Sequence, residues 1–183
     1  MASIVSVEQI KGLAGGSTPN TISVPTGQTL HAPGHVIQVV SSEVTSATSA
    51  SSSTPVNIVS VNITPKLSSS KIYITASVHA AVGSSSRGGV GLYKDSNPVI
   101  RGDEAGSRSR VYGQVQNGDT GIFSSVTMTY LDSPATTSQI TYSAKMEPEG
   151  GSTPFYINRS SSDSDSASRY RGVSAITVME IAQ

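Results

Sequence analysis

Ile72-Tyr73-Ile74-Thr75-Ala76-Ser77-Val78-His79-Ala80-Ala81-Val82 is the stretch that decides the fold. Ile72, Ile74, Ala76, Val78, Ala80 and Val82 alternate with Tyr73, Thr75, Ser77 and His79. A period of two puts the apolar set on one face of an extended strand and the polar set on the other. The same alternation recurs in Ile122, Ser124, Val126, Met128 and Tyr130, and in Ile140, Tyr142, Ala144 and Met146. In the closing segment Val173, Ala175, Thr177, Met179 and Ile181 share one face, with Ile176 and Val178 on the other.

Weaker strands are expected at Val36–Ser41, Val56–Ile63, Val90–Lys94 and Arg110–Gln116. Turn chemistry separates them, at Asp95-Ser96-Asn97-Pro98, Asn117-Gly118-Asp119, Asp132-Ser133-Pro134 and Glu149-Gly150-Gly151. No helical periodicity follows residue 35. So many short strands predict an all-β antiparallel sandwich, a two-sheet jelly roll, over residues 35–183. The last strand is expected to be central in its sheet.

Two polar stretches read as long loops. Residues 41–54, SSEVTSATSASSST, hold ten Ser or Thr in fourteen positions, too little apolar surface to form a core. Residues 159–169 read RSSSDSDSASR. Loops of that length in a compact domain are usually functional or mobile. Arg159, Asp163, Asp165 and Arg169 are therefore the candidate contacts to a receptor.

Before the sandwich, residues 1–16 read as a short helix. Ser6 and Gln9 make a capping-box pattern, Gly15-Gly16 stops it, and Val7, Ile10 and Leu13 form one apolar stripe. A helix of about two turns is unstable alone in water, so this stripe must dock, either on its own domain or as an anchor in a partner. Residues 17–34, rich in Gly, Thr and Pro, read as an extended stalk.

Composition narrows the function. Hydrophobic residues are 36% and aromatics 5%, so a domain of this size buries modest apolar area and gains from sharing a core between copies. Charged residues are 13% with no block of one sign, which argues against binding to a phosphate backbone. No cysteine is present, so neither disulfides nor thiolate chemistry are available. No segment has the length of a membrane span or the pattern of a secretory signal.

Short motifs weigh little. His31 and His35 flank Ala-Pro-Gly, which forbids the helical spacing of a zinc pair; a turn before the first strand is expected. Asp163-Ser-Asp165 begins like a calcium loop but lacks its later Gly and Glu. Arg101-Gly102-Asp103 reads as a turn after Ile100. Asn62-Ile-Thr64 and Asn158-Arg-Ser160 match glycosylation acceptors without a secretory context. Glu147 and Glu149, flanking Pro148 in an expected hairpin turn, are poorly placed for acid–base catalysis. With no nucleophile elbow either, no catalytic residue, metal or cofactor is expected. The seven arginines are expected to serve solubility and pairing between subunits with Asp103, Glu104, Asp163 and Asp165.

Several segments together resemble small fibre and spike proteins of marine, cyanophage-like tailed bacteriophages. ISVPTGQTLHAPGHVIQVV (22–40) looks like the stalk leading into their C-terminal domain, and ITPKLSSSKIYITASVHAAV (63–82) like a central hairpin there. Arg87–Tyr93 with Lys94-Asp95, LDSPATTSQITYSAKM (131–146) and GVSAITVMEIAQ (172–183) complete the likeness. The resemblance implies a homotrimeric head similar to tumour-necrosis-factor and complement-type jelly rolls, made in the host cytoplasm and carried on the virion. It implies attachment to other virion proteins through Val7, Ile10 and Leu13, contact with host-surface polysaccharide, and neither nucleic-acid binding nor membrane insertion. The short attachment region points to a compact knob rather than a long fibre. The alternative expectation is a capsid decoration or cement protein that touches no host.

Overall fold

The computed structural model describes residues 24, 26–28, 30, 32–83, 86–116, 121–149 and 152–183. Residues from Ala32 to Gln183 form one compact unit, and the expected helix with Val7, Ile10 and Leu13 lies outside the described residues. The unit is all-β, with no helix among the described residues. Its strands are β1 (Val36–Val44), β2 (Thr48–Ser52), β3 (Val56–Ile63), β4 (Lys71–Val82), β5 (Arg87–Lys94), β6 (Asn97–Pro98), β7 (Gly113–Gln116), β8 (Ser124–Asp132), β9 (Ile140–Pro148), β10 (Thr153–Ile157) and β11 (Ser174–Ile181).

They form two antiparallel sheets. In the first, β4 is the spine: β8 pairs along one edge, while β11 and then β10 pair along the other. Outside that row lie β1, on β11, and β2, on β10. The second sheet runs β3-β9-β5-β6, with β7 also on β5. The expected central position of the last strand holds, since β11 lies between β1 and β4.

The alternation of β4 translates directly into burial. Ile72, Ile74, Val78 and Val82 are fully buried, whereas Tyr73, Thr75, Ser77 and His79 are partly exposed. Facing them across the sandwich are Val59, Val61 and Ile63 of β3, Leu92 of β5, and Tyr142 and Met146 of β9. Burying each such side chain contributes about 1.5–3 kcal/mol. A slip of one residue in any of these strands would turn its apolar set to solvent, which is what specifies the register.

Two expectations need correction. Residues 41–54 are not a long loop: β1 continues to Val44, and β2 occupies Thr48–Ser52. Side chains too small for a core still pair as an edge strand, because β10 offers its backbone and carries the apolar anchors Phe155 and Ile157. Glu147 is not in a turn either: β9 runs through it to Pro148, and the carboxylate is only 7% exposed. The turn before the first strand is present, with the His35 amide donating to Ala32 O at 2.9 Å and Gly34 at φ 81°.

Candidate functional site

β10 and β11 lie end to end along the same edge of β4 and run in the same direction. They are one strand interrupted, and the interruption is the excursion 158–173. Asn158 makes it possible. Its φ of 57° turns the chain out of the sheet, a conformation asparagine tolerates better than most residues. Its amide N–H donates to His79 O at 2.8 Å, and its Nδ2 donates to Val44 O at 2.7 Å and Ser46 O at 3.1 Å. Ser174 Oγ donates to its Oδ1 at 2.6 Å, and the Gly172 amide to its O at 2.9 Å. Asn158 is 0% exposed, so this one residue ties β1, β4 and both ends of the excursion. With both ends of its amide group engaged, it offers no site for glycosylation.

Beyond Asn158 the loop braces itself. Arg159 and Arg171 form a backbone bridge, and both guanidinium groups reach Asp163, at 3.6 and 2.6 Å. Arg159 also lies over the Tyr156 ring, 4.7 Å from its centroid, and its side chain is largely covered. The Ser160 hydroxyl donates to Ser162 O, and the Arg169 amide to Ser166 O. A cleft of about 300 Å³ remains, lined by Asp163, Ser164, Asp165, Ser166, Arg169 and Arg171. The structure thus brings together all four loop residues named from the sequence. Arg159 and Asp163 form the frame, and Asp163 also lines the cleft with Asp165 and Arg169. Sequence reasoning missed Asn158 as the hinge and Arg171 as the second partner of Asp163. The Asn158–Gly172 framing of a charged Ser-rich run was the available signal.

The outer face of the first sheet is organised in rows across four strands. Val39, Met179, Tyr73 and Leu131 stand in register, followed by Ser41, Thr177, Thr75 and Thr129. The first row is apolar, with Val39 55% and Leu131 47% exposed. The second carries only hydroxyls. No charge interrupts either row.

The outer face of the second sheet is different. Residues 99–112 lie across it, with Val111 seated on Gly89. Arg101 pins the segment. It donates to Arg110 O at 2.6 Å and to Tyr93 Oη at 3.2 Å, and it pairs with Glu147 at 3.1 Å. Tyr93 Oη in turn donates to Glu147 Oε1 at 2.9 Å. Burial, then the neighbouring carboxylate, push the Tyr93 phenol up to about 12. Arg101 is therefore a clamp rather than an adhesive side chain. Beside this segment a second cleft, about 500 Å³, is lined by Arg87, Arg108, Ser107, Ser109 and Glu149 among others, and Arg87 pairs with Glu149 at 3.2 Å.

Several arginines pair within the chain: Arg110 meets Glu104, and Arg159 and Arg171 meet Asp163. The buried carboxylates are likewise engaged. Asp132 accepts from Lys94 Nζ, Tyr142 Oη and the Ser133 amide. Burial and that carboxylate push the Tyr142 phenol well above the usual range. Glu180 accepts from Gln38 Nε2 and the Lys66 and Leu67 amides. Among the described residues no group of three or more His, Asp or Glu gathers as a metal site, and no helix is long and apolar enough to cross a membrane. Comparison with known protein families finds no match, and comparison with curated proteins finds no similar chain.

Proposed function

We propose that this chain is a structural protein of a tailed-bacteriophage virion: a homotrimeric jelly-roll knob, held on the particle through residues 1–34, that presents the 158–173 loop to host-surface glycans. The observation that carries the assembly is the outer face of the first sheet. Its apolar row Val39-Met179-Tyr73-Leu131 and the hydroxyl row beside it lack charge, which is the composition of a subunit contact rather than of a solvated surface. Supporting the jelly roll, β1, β3, β4 and β5 pair respectively with β11, β9, β8 and β7. That is a long hairpin rolled into two sheets, the topology of double Greek keys.

The geometry also supports a polarity. The chain enters the sandwich beside its last strand, where the Gly34 amide donates to Ala182 O and the Ala182 amide to His35 O. The loop leaves at the other end of β11, roughly 25 Å away at the rise of a strand. A chain entry at one end of β11 and the loop at the other suit a knob. A non-catalytic role is supported by the buried carboxylates, each occupied in holding strands and turns together.

The test is sedimentation of the full chain, expected at three times its 18.8 kDa at micromolar concentration. A monomer sinks the trimeric reading. Imaging of particles should then place the protein on the virion surface, with removal of residues 1–16 abolishing attachment but not trimerisation. Trimers that decorate capsids and stay silent on every glycan would favour the decoration reading over host recognition.

A further inference from the structure

The 158–173 loop carries three arginines, and they are not equivalent. Arg159 and Arg171 share Asp163, so one carboxylate already answers two cations. Arg169 has no carboxylate partner among the described residues, and its Nε is withdrawn from solvent without an acceptor. A guanidinium with one buried N–H unanswered and no carboxylate partner, in the lining of a cleft, favours an incoming anion, and its planar fork suits a carboxylate. The rest of the lining is not purely cationic. Asp165, which only accepts hydrogen bonds, stands with the hydroxyls of Ser164 and Ser166.

We infer that this cleft takes a carboxylate-bearing saccharide, with the acid group on Arg169 and sugar hydroxyls on Asp165 and Ser166. The inference rests on the loop being the receptor-contact surface. The mixture of charges decides the ligand class. A polyanion such as a polyphosphate would be repelled by Asp165, whereas a neutral sugar would leave Arg169 unanswered. A sugar acid supplies one anion and several hydroxyls, the complement of this mixed lining. The larger cleft beside residues 99–112 is a weaker candidate because Arg87 is already paired with Glu149.

The experiment uses the full chain against a printed panel of uronate, sialylated and neutral oligosaccharides. Titration calorimetry follows, with the best acidic binder and with its carboxyl-reduced, neutral form. The expected result is at least tenfold weaker binding of the reduced form, and a similar loss in Arg169→Gln. Arg108→Gln, in the other cleft, should stay within twofold of the unmodified chain. Circular dichroism melting of Arg169→Gln should match the parent, since the bond from the residue 169 amide to Ser166 O is kept. Equal binding of acidic and reduced sugars, with both lost in Arg169→Gln, would overturn the acid assignment while leaving the loop as the receptor surface. Binding that survives Arg169→Gln but falls in Arg108→Gln would overturn both. Silence across the whole panel would also overturn both.

Discussion

The two sheets share one core but treat their outer faces in opposite ways. On the second sheet the chain supplies its own cover: residues 99–112 cross β5, Val111 fills the space above Gly89, and Arg101 is clamped by Glu147 and Tyr93. On the first sheet the apolar row Val39-Met179-Tyr73-Leu131 stays open, its outermost members about half exposed. A sheet face that is covered within the subunit needs no partner. One that stays uncovered, with Glu43 and Lys71 only in the rows flanking the two uncharged ones, is where a second copy would contribute the missing burial in the proposed assembly of a chain this short of large side chains. The difference between the faces thus separates what the fold completes alone from what the proposed assembly completes.

The largest expected effect comes from breaking the open face. Met179→Glu puts a charge into the middle of the apolar row. Desolvating an unpaired carboxylate costs several kcal/mol, so the interface should fail before the sandwich does. Sedimentation should show a folded monomer with an unchanged far-ultraviolet spectrum. If the variant sediments like the parent, this face is not the contact.

The same operation on the covered face should act within the subunit. Glu147→Ala leaves the partly buried Arg101 guanidinium without its carboxylate and strips Tyr93 Oη of its acceptor. Breaking a largely buried pair from one side costs about 3–5 kcal/mol, less here because Arg101 keeps some contact with water: about 2–3 kcal/mol. Urea denaturation should show that loss, and limited proteolysis should cut within residues 99–112 while the mass in solution stays the same. A variant as stable as the parent would mean that the clamp does not hold the segment.

The contrast between the faces was only half legible in the sequence. Strands with large β-branched or aromatic residues at every second position, such as β4, β9 and β11, announce themselves because burial writes the period. β2 does not, since Thr48–Ser52 owe their strand to backbone pairing with β10. β10 has Phe155 and Ile157 at the right spacing, but only five residues between turn signals to show it. The cover over the second sheet was hidden for a different reason. Arg101 meets Glu147 across a sequence separation that no local pattern encodes. The Gly88-Gly89-Val90-Gly91 run was the one available signal, because glycines inside a strand mark a close approach by another part of the chain. In the loop, Arg159, Asp163, Asp165 and Arg169 could be named from charge and length alone. Their division into frame and cleft could not, because it depends on Arg171 returning beside Arg159.

The smallest effect sharpens the clamp through pH. Tyr93 is displaced from its ordinary value of 10 to about 12, first by burial and then by Glu147 beside it. A phenol whose value is higher folded than unfolded favours folding while it stays protonated. Its contribution is complete below pH 10 and is lost as pH rises from 10 through about 12. Tyr93→Phe removes that titration. At pH 7 the variant should lose only the hydrogen bonds of the hydroxyl, about 1 kcal/mol, because Arg101 still answers Glu147. Between pH 10 and 12 its stability should fall less steeply than the parent's, narrowing the gap between them. Tyr142, shifted in the same direction by its own burial and by Asp132, remains in both proteins. Alkaline unfolding is therefore delayed rather than abolished. Urea midpoints at pH 8, 10 and 11 decide it: converging curves support a protonated Tyr93 bridging Glu147 and Arg101, and parallel curves would place its proton outside the clamp.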